Sequence, residues 1–224
     1  MSSYASGIAW QGEPLPRGRH KLDPEEVRGS QRRRICRAML EVVAEHGFQD
    51  ATVGKVVAAA RVSRNAFYEF FSDKTDCFLT ASAELNDELL EAVLAARAEA
   101  DWIVAVRRGT VAYLEWWRQH AAFARAYFTG YAELGARAVE QRHAAYEPFV
   151  AMFAELGRLA REQQPELGPL PPIVPRVLVF SITELVADEI RAGRSERIDD
   201  LAPDLFELIV RLLADDETAR AVAA

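Results

Sequence analysis

The sequence predicts an all-α protein, with a small N-terminal helical module ahead of a larger helical body. Three observations predict this. Half of the residues are apolar, enough for a sizeable core. Long stretches rich in Ala, Leu, Glu and Arg favour helix, and their apolar residues recur at spacings of three and four. Proline is sparse and clustered, and no internal repeat of fixed period runs along the chain.

Residues 1–29 are rich in Gly, Pro, Ser and charge and lack helical or strand periodicity, so a disordered extension is expected. Its basic cluster, Arg17, Arg19, His20 and Lys21, is either a solvated leader or a flexible arm that follows a DNA groove. Helix 1 is expected from a Ser30 N-cap to Glu45, with Ile35, Met39, Val42 and Val43 on one face. Arg32, Arg33 and Arg34 then fall in its first turn, where the helix dipole disfavours cations and a nearby phosphate would favour them. Gly47 is a stop signal.

Thr52 can cap a second helix whose inner face is Val53, Val56, Val57 and Ala60. Arg61-Val62-Ser63 forms the turn, with Ser63 capping a third, short helix. In that helix Phe67 and Phe71 point inward, and Arg64, Asn65, Tyr68 and Glu69 share the opposite face. A short helix with an anchored back and a polar front is what the DNA major groove requires. Ser72 or Asp73 caps a fourth helix that runs to about Ala98, with Lys74 in its first turn as a second candidate phosphate contact. Leu79, Leu85, Leu89, Leu90, Val93 and Leu94 mark its buried side.

Here the chain resembles the DNA-binding module of the TetR family of bacterial regulators. The resemblance covers residues 30–78 and rests on Thr52-Val53, Ala60, Val62-Ser63-Arg64, Phe67-Tyr68, Phe71 and Lys74, in the family's order and spacing. Arg61 departs from the pattern, because the family usually has Gly in this turn. Either the turn avoids positive φ or Arg61 carries a small strain. The resemblance implies a helix-turn-helix DNA-binding domain over 30–76 and a helical effector-binding and dimerisation domain over 77–224. The expected DNA-facing residues are Thr52, Lys55, Ser63, Arg64, Asn65, Ala66, Tyr68 and Lys74. Charge distribution agrees: residues 1–76 hold 12 Lys/Arg and 10 Asp/Glu (+2), whereas the remainder holds 15 and 24 (−9).

Beyond residue 100 helices are expected over Trp102–His120, Ala121–Phe128, Glu133–Gln163 with a kink at Pro148, 173–192 and 203–214. The Pro-rich segment Gln164–Pro172 is a loop. Tyr113, Trp116, Trp117, Phe123, Tyr127, Phe128, Phe149, Phe153 and Phe180 could fill a core or line a cavity for an apolar or aromatic small molecule. Arg118, His120, Arg125 and Glu184 are polar groups that could orient it. The last two helices carry more apolar surface than one core face needs, which implies a partner subunit. The resemblance agrees, and the expected homodimer contacts are Val177, Phe180, Ser181, Leu185, Leu205, Leu208, Ile209 and Leu212. Two copies would read a near-palindromic double-stranded operator, released when effector binding shifts the fourth helix.

Other classes find less support. No Gly-rich phosphate loop, nucleophile elbow or paired Cys spacing is present, so no catalytic residue or cofactor is expected. Glu140 and His143 make a single E-x-x-H, where two-metal helical bundles use two, and no metal is expected. A helical protein-interaction module would explain the apolar last helices but not an exposed Arg64, Asn65, Tyr68 and Lys74. Cys36 and Cys77 fall on apolar helix faces and read as buried thiols. With no signal peptide and no apolar run of about 20 residues, a soluble cytoplasmic protein without a membrane partner is expected.

Overall fold

The computed structural model describes residues 24–96, 101–131 and 134–214, and the expectations for the tail at 1–23 lie outside these residues. The described residues form nine α-helices and no strand. They are α1 (Pro24–Asp50), α2 (Val53–Ala60), α3 (Arg64–Tyr68), α4 (Lys74–Ala96), α5 (Trp102–Gln119), α6 (Ala121–Gly130), α7 (Ala136–Gln163), α8 (Val174–Arg191) and α9 (Ala202–Leu213). A 3₁₀ helix, Ser195–Leu201, precedes α9. The chain divides into two compact units between Ser82 and Ala83, so the boundary falls inside α4 rather than at residue 76.

In the first unit α1 corrects the expected start. Residues 24–29 are helical and Ser30 lies inside the helix. Glu25 and Glu26 in the first turn favour helix at the positive end of the dipole. Arg28 lies 5.1 Å from the Phe70 ring centroid and Arg32 lies 6.0 Å from that of Phe71. Arg32, Arg33 and Arg34 therefore sit well inside α1, and the first-turn dipole argument for them lapses. Gly47 breaks the helix with φ 77°, ψ 161°, a conformation that favours glycine. Ile35, Met39, Val42 and Val43 are buried with Phe48, Phe67, Phe71 and Phe78. Cys36 and Cys77 are both buried and free, and burial among these side chains pushes the Cys77 thiol up, away from the reactive thiolate.

In the second unit the Trp102 N–H donates to Gln163 Oε1 at 3.2 Å, which sets the start of α5 against the end of α7. Arg161 Nη1 donates to Leu213 O at 2.9 Å and ties α7 to the end of α9. The helix α7 continues through Pro148. Ile198, fully buried, fixes the 3₁₀ helix that periodicity did not predict. Leu94, expected on the buried side of α4, is 38% exposed. The helix α8 has two apolar faces. Leu178, Val179, Ile182, Val186 and Ile190 enter the core, whereas Val177, Phe180 and Leu185 face outward.

Candidate DNA-reading helix and ligand chamber

The helix-turn-helix is set by its caps. Thr52 Oγ1 accepts from the Lys55 N–H at 3.2 Å, and Ser63 Oγ accepts from the Ala66 N–H at 3.0 Å, satisfying first-turn donors of α2 and α3. The helix α2 ends with the Val62 N–H on Val57 O at 3.1 Å and the Arg61 N–H on Ala58 O at 3.2 Å, with Arg61 left-handed at φ 53°, ψ 49°. That resolves the choice left open at Arg61: the turn does use positive φ, and a side chain pays for it. Phe67 is fully buried, 5.6 Å from the Phe71 ring, and holds the back of α3. Arg64, Asn65, Tyr68 and Glu69 are exposed, with Tyr68 at 56%, and Lys55 is exposed beside them in sequence on α2. Ala66 is half-buried. Tyr68 packs edge-on against the Phe67 ring at 5.3 Å and leaves apolar surface of α3 exposed to water.

Lys74 is a correction. Its ammonium donates to Phe48 O at 2.8 Å, Gln49 O at 3.0 Å and Ala51 O at 3.0 Å, and it lies 4.6 Å from the Phe48 ring centroid. All three donors are used on the carbonyls that end α1. The expected phosphate contact gives way to a structural one. The cation sits in the first turn of α4 because the end of α1 offers it acceptors. Asp73 Oδ1 caps α4 by accepting from the Asp76 N–H at 2.8 Å.

The second unit holds a partly open chamber lined by residues of α4 to α9. Of the aromatic residues singled out from sequence, Tyr113, Trp117, Tyr127, Phe149 and Phe153 line it. Trp116, Phe123, Phe128 and Phe180 do not. Phe123 stacks on Trp117 at 5.6 Å and Phe128 lies 4.8 Å from it, so both brace its indole from behind. Trp116 stacks on His120 at 4.1 Å, and Phe180 is exposed at 38% against Tyr146. The polar candidates are also engaged elsewhere. Arg118 pairs with Asp199 at 2.8 Å, the His120 ring meets Trp116 O at 2.8 Å, Glu184 pairs with Arg191, and Arg125 is exposed.

Leu205 and Ile209, expected at a subunit interface, are 2% and 3% exposed and line the chamber instead. Leu208 and Leu212 are half-buried on α9, and Ser181 is half-buried on α8. Sequence reading missed Asn86, Thr110, Met152 and Thr183 in the wall, which also holds Tyr146 of the middle aromatic cluster. Asn86 carried a usable signal: it is a polar residue one position from Leu85 and three from Leu89 on an otherwise apolar helix face. A second, shallower depression between α4 and α7 shares Asn86, Ala145 and Phe149 with the chamber.

Among the described residues no group of three or more His, Cys, Asp and Glu side chains is placed to hold a metal. His143 of the E-x-x-H lies beside the Tyr146 and Phe180 rings. No helix of the described residues is long and apolar enough to cross a membrane.

Comparison with known proteins agrees with this architecture. A search of curated sequences finds no match. Among solved structures, the fatty acid degradation regulator FadR from Bacillus halodurans matches with a TM-score of 0.74 at 16% identity, covering 85% of this chain and 97% of that one. A TetR family transcription regulator from Marinobacter aquaeolei matches at 0.65 and 20% identity, covering 85% and 99%. FadR from Bacillus subtilis, described in complex with stearoyl-CoA, matches at 0.71 and 14% identity, covering 80% and 97%. At these identities the likeness is one of fold. Residues 35–81, which span α2, α3 and parts of α1 and α4, match the bacterial regulatory proteins of the tetR family.

Proposed function

We propose that the protein is a ligand-responsive transcriptional repressor that binds a near-palindromic operator as a homodimer. The observation that carries this is α3: its caps are closed, Phe67 pins its back, and Arg64, Asn65 and Tyr68 are left to solvent. One short helix spans too few base pairs for a selective site, so two copies are needed. The exposed apolar face of α8, Val177, Phe180 and Leu185, supports pairing of two chains there, with Leu208 and Leu212 of α9 as the remaining candidates.

The apolar chamber supports a small apolar effector, and the stearoyl-CoA bound to the Bacillus subtilis relative is consistent with one. The helix α4 carries Asn86, Leu89 and Val93 of the chamber wall and also Lys74 and Phe78 of the first unit. A ligand that favours one arrangement of α4 therefore changes operator affinity.

In vitro selection of bound DNA tests the reading. Paired half-sites with their centres about one helical turn apart, or a multiple of it, are expected. Asn65→Ala should relax preference at one position of each half-site by about 1–3 kcal/mol. Recovery of no preferred sequence would sink the proposal.

A further inference from the structure

The two ends of the chamber differ in chemistry. Ala105 and Val106 at the start of α5 share a wall with Met152, Phe153 and Leu156 of α7, and none of these carries a polar side-chain group. About 18 Å further along α5, at a rise of about 1.5 Å per residue, Trp117 lines the opposite end with Asn86 and Tyr127. Two hydrogen-bond donors are left open there. Asn86 Nδ2 and Trp117 Nε1 are buried without a partner, on residues only 8% and 2% exposed. They face the hydroxyls of Tyr127 and Tyr113, respectively, without closing a hydrogen bond of normal geometry. Buried donors are nearly always paired, so an open pair in a cavity wall calls for an acceptor.

That acceptor is uncharged. No Lys, Arg, His, Asp or Glu is among the residues lining the chamber. Arg142 is held by the Tyr146 hydroxyl at 2.8 Å and by Glu184 at 3.8 Å. Burial pushes the phenols of Tyr113, Tyr127 and Tyr146 upward, so the same wall resists negative charge. A carboxylate entering here would lose its hydration without gaining a cation.

We propose that the chamber takes an elongated apolar molecule whose polar group is an uncharged carbonyl, held between the Asn86 amide and the Trp117 indole N–H. This rests on the reading of the chamber as an effector site. A ketone, an ester and a thioester share the required chemistry; a free fatty acid anion and a plain hydrocarbon do not.

The test uses the full chain and three nine-carbon probes: 2-nonanone, nonanoate at pH 8, and nonane. Affinities come from the shift of the thermal unfolding midpoint with ligand concentration. 2-Nonanone should bind about tenfold more tightly than nonane, and nonanoate more weakly than 2-nonanone. Asn86→Leu and Trp117→Phe should each cut the preference for the ketone over the hydrocarbon by about two- to tenfold, with nonane binding retained. Equal binding of ketone and hydrocarbon, or tightest binding by nonanoate, overturns the proposal on the parent protein alone. A ketone preference that survives in both variants overturns the assignment of the two donors. Binding of none of the three probes overturns the effector-site reading itself, and this proposal with it.

Discussion

Around α3 several polar groups are satisfied internally: Thr52 and Ser63 cap their helices, and the Lys74 ammonium donates to three carbonyls. The polar groups left over, on Arg64, Asn65 and Tyr68, point to water. In the chamber the order is reversed. The wall is apolar, and the open donors of Asn86 and Trp117 are buried. Polarity alone marks neither site. What separates a group that builds the fold from one free to meet a ligand is whether its partners are already present. Lys74 shows the first case and Asn86 the second.

The largest test of this contrast compares neighbours on α3. Phe67→Ala should cost about 3–5 kcal/mol of stability, as expected for a fully buried aromatic. Tyr68→Ala should cost far less, within about 1 kcal/mol of the parent, because Tyr68 is mostly exposed and keeps only an edge contact with Phe67. Urea unfolding of both variants decides it. Equal losses would mean that α3 is not anchored through its back.

Lys74→Met should follow, costing about 2–4 kcal/mol, because three carbonyls at the end of α1 lose a charged donor. Its operator affinity, measured under conditions where the variant is folded, should keep the parent's salt dependence. A slope reduced by about 0.9 would restore the phosphate contact expected from sequence.

In the chamber the matching test is alkaline pH. Tyr113 is pushed up to about 12 by burial, whereas an unfolded tyrosine titrates near 10. The folded state therefore holds its proton where the unfolded state has lost it. Stability is intact below about pH 10 and declines as pH rises toward 12. Tyr113→Phe should recover about 1 kcal/mol of that decline at pH 11, read by denaturation at pH 9 and 11. An unchanged decline would mean that the phenol is not buried in the neutral form.

The same contrast explains what was legible in the sequence. Periodicity and local caps are short-range, so Thr52, Ser63, Phe67 and the exposed face of α3 could be read directly. Gly47 was legible for the same reason. The start of α1 lies ahead of the Ser30 cap expected from sequence: Pro24, Glu25 and Glu26 are a helix-opening pattern that follows directly on a polar segment without apolar periodicity. Lys74 was misread because its partners lie 23 to 26 residues away, beyond any local rule. The chamber was only half legible. Aromatic content marks bulk, but whether Trp116 or Trp117 faces the cavity depends on a single helical position and on which helices pack around it. Leu205 and Ile209 were assigned to a partner subunit because apolarity says that a residue is buried, not by what.

The smallest effect isolates a local feature of the first unit that is strained rather than satisfied. Arg61 holds φ 53° with a Cβ in the left-handed region, where a side chain is disfavoured and glycine is not. It is exposed, and its backbone N–H bond to Ala58 O needs no side chain. Arg61→Gly should therefore keep the turn and remove the strain, less the extra entropy that glycine loses on folding. A gain of about 0.5–1 kcal/mol is expected, seen as a higher urea midpoint at unchanged slope. A loss of stability would show that the guanidinium contributes more than the strain costs. Unchanged DNA affinity in the same variant would place Arg61 with the groups that shape the turn.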